Sequence, residues 1–364
     1  MFSLRACLTL LLLAAAPAFS EDTFQGVQRI VAIGDIHGDY DPFVVLLRTA
    51  GLVDANNAWR GGATHLVVVG DFIDRGPDSR KVMDLLIGLG PQAQSAGGCV
   101  HALLGNHEAM NVYGDLRYVS SADYNSFRTA DSKRLIDDFL NQTLREMKAN
   151  GTPPQNEAGF RDKFNASHPL GWVERQSAFS PNGKYGKWLR QLDAMIRIND
   201  FLFVHGGIGP KYAAATRKEV NDRILGELSD FSELPQGFAM DADGPLWYRG
   251  LAQLPENERG LAAHIDRVLE TQGARHIVIG HTAAPVILPR FGGKVIMVDV
   301  GLPASRATPA LLMVEGSRCY TVYRNGRVDV PLDGGEVLQY LRAAQKLDPA
   351  NSGLRALIRK GGRL

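Results

Sequence analysis

Residues 65–76 read HLVVVGDFIDRG, in which a short apolar run ends abruptly in glycine, aspartate and arginine. An apolar run of this length, bounded by turn residues, is typical of a buried strand. The arrangement recurs, because four other apolar runs also end in polar clusters that contain glycine: Gln28–Ile33, Val100–Leu104, Phe201–Val204 and His276–Ile279. The repetition predicts a series of buried strands with polar side chains at their carboxyl ends.

Helical patterns fill several gaps between these runs, at Phe43–Ala50, Arg80–Leu89 and Glu256–Thr271. Strands that alternate with helices indicate an α/β layered fold. In such folds, ligands bind beyond the carboxyl ends of the strands. We therefore expect the polar clusters to converge on one edge and form a single active site.

The chain is expected to contain one large domain and two terminal segments. The large domain is predicted over residues 25–330. The interval of about 112–199 is longer than one βα connection needs and predicts a helical insertion beside the site, with helices over Leu135–Met147 and Lys187–Ile198. Asn325-Gly326 predicts a hairpin, and residues 331–364 are predicted to form a helical tail with a final helix over Glu336–Leu347.

The N-terminal residues 1–20 have the pattern of a signal peptide. Arg5 precedes an apolar run, and small residues occupy positions 16, 18 and 20. The run Leu8–Ala16 is shorter than the roughly 20 residues that cross a bilayer, although an uncleaved anchor is the alternative. The pattern predicts a periplasmic or secreted protein with no membrane span after cleavage.

The composition is nearly electroneutral, with 40 lysines and arginines against 39 acidic residues. Nucleic-acid-binding proteins usually carry a basic excess or stripe, so we expect no nucleic-acid partner. Cys99 and Cys319 are the two cysteines that follow the signal peptide. An oxidising compartment would permit a disulfide between them, and two separately buried thiols are the other interpretation.

Six polar residues at the strand ends offer oxygen or nitrogen donors and no thiolate: Asp35, His37, Asp71, Asn106, His205 and His281. This set suits two divalent metal ions, with manganese expected and iron or zinc as alternatives, better than one structural zinc. Polar side chains at buried strand ends would also be costly without an ion or substrate to satisfy them. Two adjacent metals need a bridging ligand, and the carboxylate of Asp71, central in the order, is the natural bridge.

Five motifs together resemble the signatures of the phosphoprotein phosphatases, which are calcineurin-like metallophosphoesterases. The motifs lie at Gly34–Gly38, Gly70–Gly76, Gly105–Glu108, His205–Gly207 and Gly280–Thr282. The longer string that begins Gly105-Asn106-His107-Glu108-Ala109-Met110-Asn111 is similar to the Shewanella-like bacterial branch. The resemblance covers about Val31 to Gly301 and implies a metallophosphoesterase-type β-sandwich flanked by helices.

The resemblance also implies a role for each matching residue. One metal would be bound by Asp35, His37 and Asp71, and the second by Asp71, Asn106, His205 and His281. His107 would protonate the departing oxygen while Asp74 orients it; a further metal ligand is the other interpretation of His107. The substrate phosphate would be held by Arg75, Asn106 and Arg249, since guanidinium forks bind phosphate oxygens. An ordinary surface salt bridge is the other interpretation of Arg75. Asp299, which follows the apolar run Lys294–Val298, is assigned no catalytic role.

The expected function is hydrolysis of phosphate monoesters by direct attack of a metal-bound hydroxide. The substrate would be a phosphorylated protein or a small phosphomonoester, with phosphotyrosine, phosphoserine and phosphothreonine all open. Ala283 stands where many metallophosphodiesterases carry a second histidine, which favours monoesters. The alternatives are a dinucleoside-polyphosphate hydrolase and a non-enzymatic metal-binding scaffold. Among the aromatic residues of the insertion, Tyr118 is the one expected to face the site if any does; a small core of the insertion's own is the competing interpretation.

Overall fold

The structure is a computed structural model that describes residues 22–232, 234–302 and 308–362. The signal peptide expected at residues 1–20 lies outside these ranges. The described residues form strands at Thr23–Phe24 (β1), Arg29–Ile33 (β2), His65–Val68 (β3), Cys99–Ala102 (β4), Met195–Ile198 (β5), Phe201–Val204 (β6), His276–Ile279 (β7), Leu288–Arg290 (β8), Val295–Met297 (β9), Ala310–Glu315 (β10), Arg318–Tyr323 (β11) and Gly326–Asp329 (β12).

The α-helices lie between the strands and after the last of them. They span Tyr40–Thr49 (α1), Ser79–Ser95 (α2), Asn106–Tyr113 (α3), Ser121–Ser126 (α4), Ser132–Ala149 (α5), Glu157–Ser167 (α6), Trp172–Phe179 (α7), Lys184–Leu189 (α8), Arg217–Glu227 (α9), Gly250–Gln253 (α10), Leu261–Gln272 (α11), Val337–Leu347 (α12) and Ser352–Arg359 (α13).

The strands form two six-stranded sheets, in the orders β1-β5-β6-β7-β9-β8 and β12-β11-β10-β2-β3-β4. Parallel pairing aligns the ends of the central strands, since Ile33 lies opposite Val68, and Val204 lies opposite Ile279. Both sheets contribute to one continuous hydrophobic core, and β3 and β6 are buried throughout. Helix α2 packs against β4, and α9 against β5. The predicted α/β sandwich is confirmed, and within each sheet the register aligns the ends of the strands that precede the polar clusters.

The segment between β4 and β5 contains six helices, α3 to α8. The helix predicted over Lys187–Ile198 is wrong beyond Leu189, because Met195–Ile198 is strand β5 of the first sheet. The helical insertion therefore ends before residue 199. An apolar run of this length fits either a helix or a strand, and pairing with β1 and β6 makes it a strand.

The C-terminal part also departs from the sequence expectation in detail. Tyr323 pairs with Gly326, so the predicted hairpin exists but turns one residue earlier than Asn325-Gly326. Helix α13 follows α12, which makes α12 the penultimate helix. Cys99 and Cys319 are both free thiols. They lie on β4 and β11, with three strands between them, which is roughly 19 Å at about 4.8 Å per strand spacing and too far for a disulfide.

Within the described ranges, no helix has the combination of length and apolar composition that a membrane span requires.

Candidate active site

Glu108 holds together two of the loops that follow the strands. Its Oε2 accepts hydrogen bonds from the backbone N–H groups of Asp71 and Gly105, both at 2.8 Å. Its Oε1 accepts from Phe72 at 3.0 Å and Ile73 at 3.3 Å. Glu108 is fully buried, and burial, followed by the charge of Asp71, raises the pKa of its carboxyl to about 8. The carboxyl group thus fixes the backbone that presents Asp71.

The backbone at this edge is strained. Of the eight non-glycine residues with positive φ in the described chain, five belong to the site: His37 (49°), Asp71 (49°), Asp74 (68°), Arg75 (62°) and His281 (65°). Left-handed conformations are costly for residues with a β-carbon and cluster at functional sites. Close packing adds a further constraint, because a β-carbon on Gly105 would lie 2.2 Å from Oδ1 of Asp71. The loops therefore adopt backbone conformations of higher energy than a simple connection needs, and these conformations fix the positions of particular side chains.

Three histidines point one ring nitrogen at a backbone carbonyl. His37 Nδ1 lies 3.1 Å from the carbonyl oxygen of Ile73, His205 Nδ1 lies 2.7 Å from that of Val69, and His281 Nε2 lies 3.1 Å from that of Trp247. A ring N–H donated to a carbonyl fixes the tautomer and leaves the other nitrogen as a lone pair, as in most metal-binding histidines. The arrangement leaves the second ring nitrogen of each histidine available as a metal ligand.

The free nitrogens face the carboxylate of Asp71. Oδ2 of Asp71 lies 3.2 Å from Nε2 of His205 and 3.9 Å from Nε2 of His37. The His37 nitrogen is buried without a hydrogen-bond partner and lies 3.7 Å from Oδ2 of Asp35. Oδ1 of Asn106 lies 3.1 Å from Nε2 of His205. Such a buried, unpartnered nitrogen between two carboxylates is where a divalent cation fits.

The ligand atoms form two groups, and within each group all of the atoms lie within 4.8 Å of one another. One group comprises His37, Asp71 and His107, and the other Asp71, His205 and His281, so Asp71 belongs to both. Four of the six predicted metal-binding residues, His37, Asp71, His205 and His281, belong to these groups, and Asn106 adjoins the second group through His205. Asp35 is placed beside the first group through His37, and its Oδ1 accepts the backbone N–H of His281 at 2.9 Å. His107 also belongs to the first group, because its Nε2 lies 3.8 Å from Oδ2 of Asp71.

The pKa shifts describe an environment suited to cations. Burial lowers the pKa of His37 to about 4 and that of His281 to about 2. Burial by itself would raise the pKa of Asp71, but the charges of His205 and His107 outweigh it and hold that pKa well below its usual value. The imidazoles of His37 and His281 are therefore neutral at pH 7 while Asp71 is ionised, which are the forms that bind metal.

His107 and Asp74 form a hydrogen-bonded pair. Nδ1 of His107 lies 2.8 Å from Oδ2 of Asp74, and Nε2 lies 3.3 Å from Nη2 of Arg75. The ring of Tyr118 lies 4.8 Å from the His107 ring, centroid to centroid, and Tyr118 is 43% exposed. Since Asp74 occupies Nδ1, Nε2 is the atom that can exchange a proton with a bound molecule.

The two predicted phosphate arginines lie on different sides of the metal-ligand groups. Arg75 is exposed and adjoins His107. Arg249 donates from Nη1 to the carbonyl oxygen of His281 at 2.7 Å and to Oγ1 of Thr282 at 2.9 Å. A cavity of about 420 Å³ lies at this edge, and its wall includes His37, Arg75 and Ala283. A phosphate-sized anion in this cavity would lie beside the guanidinium group of Arg75.

Most of the other insertion aromatics pack against one another. Phe127, Phe179 and Tyr185 pack together, and a second cluster comprises Phe139, Phe160, Phe164, His168 and Trp172. Most insertion aromatics therefore form internal cores, as one interpretation predicted, while Tyr118 alone among those compared lies against His107.

Sequence reasoning assigned no role to several residues that support the site. Glu108 and Asn111 belong to the motif that begins at Gly105, but neither was assigned a role. Asn111 donates to both oxygens of Asp74, each at 3.0 Å. Asp299 is buried beside Asp35; burial raises the pKa of Asp299 to about 6, and the pKa of Asp35 is raised by burial and then by the charge of Asp299. The position of Asp299 directly after an apolar run was the available signal.

Comparison with known proteins adds independent findings. Residues 28–285 match the model of the family described as calcineurin-like phosphoesterase. Shewanella-like protein phosphatase 2 from Arabidopsis thaliana is 28% identical over 77% of this chain and 72% of its own length. The cold-active protein-tyrosine phosphatase of a psychrophilic Shewanella species has a similar structure, with a TM-score of 0.65 and 29% identity over 85% of this chain and 82% of that one. An asymmetrical bis(5'-nucleosyl)-tetraphosphatase from Geobacillus thermodenitrificans is 26% identical over 78% of this chain and 89% of its own.

Proposed function

This chain belongs to the calcineurin-like phosphoesterase family, and from that premise we propose that it is a dinuclear-metal phosphatase that hydrolyses phosphate monoesters on proteins. The observation that carries the proposal is the Asp71 carboxylate, which belongs to both groups of ligand atoms. One carboxylate between two sets of nitrogen and oxygen donors is the arrangement that a two-metal hydrolase requires.

The residues that would hold the metals are those at the shared edge. Asp35, His37 and Asp71 would bind one ion, and Asp71, Asn106, His205 and His281 the other. Manganese is our first choice, with iron or zinc as alternatives, since the donors are imidazole, carboxylate and amide. When bound, two such ions supply a hydroxide nucleophile at neutral pH and neutralise charge on the phosphoryl oxygens.

The protein's own groups would orient the ester and complete proton transfer. Arg75 and Arg249 would hold phosphate oxygens from two sides, since both guanidinium groups flank the ligand groups. His107 would donate the proton on Nε2 to the departing oxygen, while Asp74 keeps the Nδ1 proton in place. General-acid transfer of this kind contributes about 10²–10⁴-fold to the rate. The contact of Nε2 with Arg75 places that nitrogen beside the phosphate-binding arginine. Because a guanidinium only donates, Nε2 accepts in this contact and would take up the proton that it delivers once Arg75 has turned to a bound phosphate.

A protein substrate is supported by two of the relatives, whose names describe a protein phosphatase and a protein-tyrosine phosphatase. The exposed ring of Tyr118 beside His107 offers an apolar wall to the group that leaves. We propose phosphotyrosine, phosphoserine or phosphothreonine as the substrate side chain. Dinucleoside polyphosphates are the competing substrate class.

Metal analysis and a substrate panel test the proposal. Active wild-type protein should contain about two metal ions per chain, and Asp71→Asn should lower the occupancy of both sites and turnover by several orders of magnitude. With manganese, phosphopeptides should be hydrolysed faster than diadenosine tetraphosphate. About one metal per chain in fully active protein contradicts the dinuclear scheme, and preference for the dinucleotide contradicts the protein substrate.

We further propose that the protein is exported to the periplasm or secreted, on the basis of the signal-peptide pattern at residues 1–20. N-terminal sequencing of exported protein should then begin at Phe19 or Glu21. A Met1 terminus recovered from the membrane fraction would show that the apolar run is an uncleaved anchor.

A further inference from the structure

Arg175 is an arginine of the insertion with no exposed surface. It lies on α7, and its side chain is 0% exposed. Its Nε donates to Oδ2 of Asp123 at 2.9 Å, and its Nη2 donates to Oδ1 of Asn111 at 2.7 Å. The guanidinium carbon lies 4.2 Å from the centroid of the Phe179 ring. A charge this deeply buried is costly unless several groups orient and neutralise it.

Asn111 connects this arginine to the proposed acid. The amide nitrogen of Asn111 donates to Oδ1 and Oδ2 of Asp74, each at 3.0 Å, and to the carbonyl oxygen of His107 at 2.9 Å. The amide oxygen is the acceptor for Arg175. Because Arg175 can only donate, it fixes which end of the amide faces Asp74. With the amide reversed, an oxygen would face the Asp74 carboxylate.

The two ends of the network lie on parts of the chain far apart in sequence. Asp74 and His107 follow strands of the second sheet, whereas Asp123 and Arg175 lie on α4 and α7 of the insertion. Nη2 of Arg175 also lies 3.7 Å from Oδ1 of Asp74, which adds direct attraction to the link through Asn111. Helices α4 and α7 thereby reach the dyad without contributing a side chain to the cavity wall.

We propose that Arg175 is a positioning residue, which orients the Asn111 amide and the Asp74 carboxylate so that His107 is aligned for proton donation. The inference rests on the proposed phosphatase function. It assigns the insertion a part in the reaction: α7 supplies the outermost member of the chain Arg175–Asn111–Asp74–His107.

The test compares esters with poor and good leaving groups in Arg175→Met, whose side chain fills similar space without charge. A phosphoserine peptide needs its leaving oxygen protonated, whereas nitrophenolate leaves readily without a proton. We expect kcat for the peptide to fall about 10–100-fold, the usual effect of a partner that orients a functional side chain. For p-nitrophenyl phosphate the fall should be less than about threefold, with KM and metal content close to wild type.

Further variants separate positioning from loss of structure. Asp123→Asn breaks the same buried ion pair without touching Asn111, so it should lower the thermal midpoint and leave the ratio of the two rates unchanged. Asn111→Leu should alter the ratio of the two rates as Arg175→Met does. The double variant should lower kcat for the peptide no further than either single variant, because both residues act through Asp74. Arg175→Lys, which keeps the charge without the planar fork, should be intermediate. If Arg175→Met does not fold, Arg175→Met with Asp123→Leu removes both charges and takes its place.

Arg217→Met is the remote control, since Arg217 is a partly buried arginine that bonds Gln272 and Thr23 instead. It should leave both rates unchanged. Equal losses on the two esters in Arg175→Met, or an altered ratio in Asp123→Asn alone, would overturn the positioning role. Inactivity of the wild type on both esters would instead defeat the phosphatase function itself.

Discussion

Replacing Glu108 with glutamine should both destabilise the protein and lower the metal affinity of the proposed active site. Each carboxylate oxygen of Glu108 accepts two backbone N–H groups, Asp71 and Gly105 on one and Phe72 and Ile73 on the other. A glutamine keeps one acceptor oxygen and turns an NH₂ donor toward the other pair. Two buried N–H groups therefore lose their acceptor whichever way the amide faces. At about 1–3 kcal/mol for each, the expected loss is about 2–6 kcal/mol, a large fraction of the roughly 5–15 kcal/mol that stabilises a domain.

The assay is urea unfolding of metal-free Glu108→Gln and wild type, followed by metal titration of both. The comparison belongs at about pH 9, because the pKa of Glu108 is raised to about 8 and the carboxylate is ionised above it. Metal affinity should fall at both sites, since the Asp71 backbone that Glu108 holds serves both ligand groups.

Glu227→Gln is the matched control. Glu227 is 2% exposed and accepts the backbone N–H groups of Phe238 at 3.0 Å and Ala239 at 2.9 Å. Its replacement leaves one N–H unpaired and should cost about 1–3 kcal/mol with metal affinity unchanged. A loss below about 1 kcal/mol in Glu108→Gln would refute the argument from N–H acceptors, and wild-type metal affinity in that variant would refute the link to Asp71.

Three further predictions concern the active site. His107→Asn should keep the metals and lower kcat about 10²–10⁴-fold, less for nitrophenyl than for serine esters; equal losses in steady-state kinetics would indicate that His107 holds metal or phosphate instead. Arg249→Ala should lower kcat/KM by a similar factor for every phosphomonoester, because its guanidinium adjoins His281 and the phosphate is common to all of them; unchanged kinetics would place the second clamp elsewhere. Tyr118→Ala should lower kcat/KM for phosphotyrosine peptides more than for phosphoserine peptides, since its exposed ring lies against His107. An unchanged ratio of the two kcat/KM values on matched peptides would exclude Tyr118 as an apolar wall for the leaving group.

The strand ends could be predicted because local sequence determines them. Phe201–Val204 and His276–Ile279 have the bounds expected from the sequence. Each is a short apolar run followed by histidine with glycine, a change that no continuing strand or helix would tolerate in a core. Since parallel strands end at one edge of a sheet, the proximity of His205 and His281 followed from topology, whereas that of Asp71 depends on how the second sheet packs against the first.

Strand β5 could not be predicted from its own residues. Met195, Ile196 and Ile198 are buried, and their spacing fits a helix as well as a strand. The decision lies in partners far along the chain: Arg197 pairs with Thr23 on one side and with Leu202 on the other. Secondary structure that depends on such pairing is set by tertiary context and not by local propensity.

The role of Arg175 could not be predicted from the sequence either, because it depends on partners 52 and 64 residues away, Asp123 and Asn111. Arginine is common on helix surfaces, and the α7 sequence gives no sign that this one is buried. Only packing against Phe179 and the absence of exposed surface distinguish it from the exposed arginines of neighbouring helices.

The strained backbone of the active-site loops explains why so many supporting contacts surround so few ligands. A residue held at positive φ costs on the order of 1–3 kcal/mol and persists only where its surroundings determine it. The loops carrying His37, Asp71 and Asp74 are cross-linked accordingly. The carbonyl oxygen of Asp71 accepts from the N–H groups of Ile36 at 3.0 Å and His37 at 2.9 Å, and the N–H of Asp74 donates to Ser79. These contacts couple the conformation of each loop to that of the next. A substitution in any one loop should therefore displace ligand atoms in both groups.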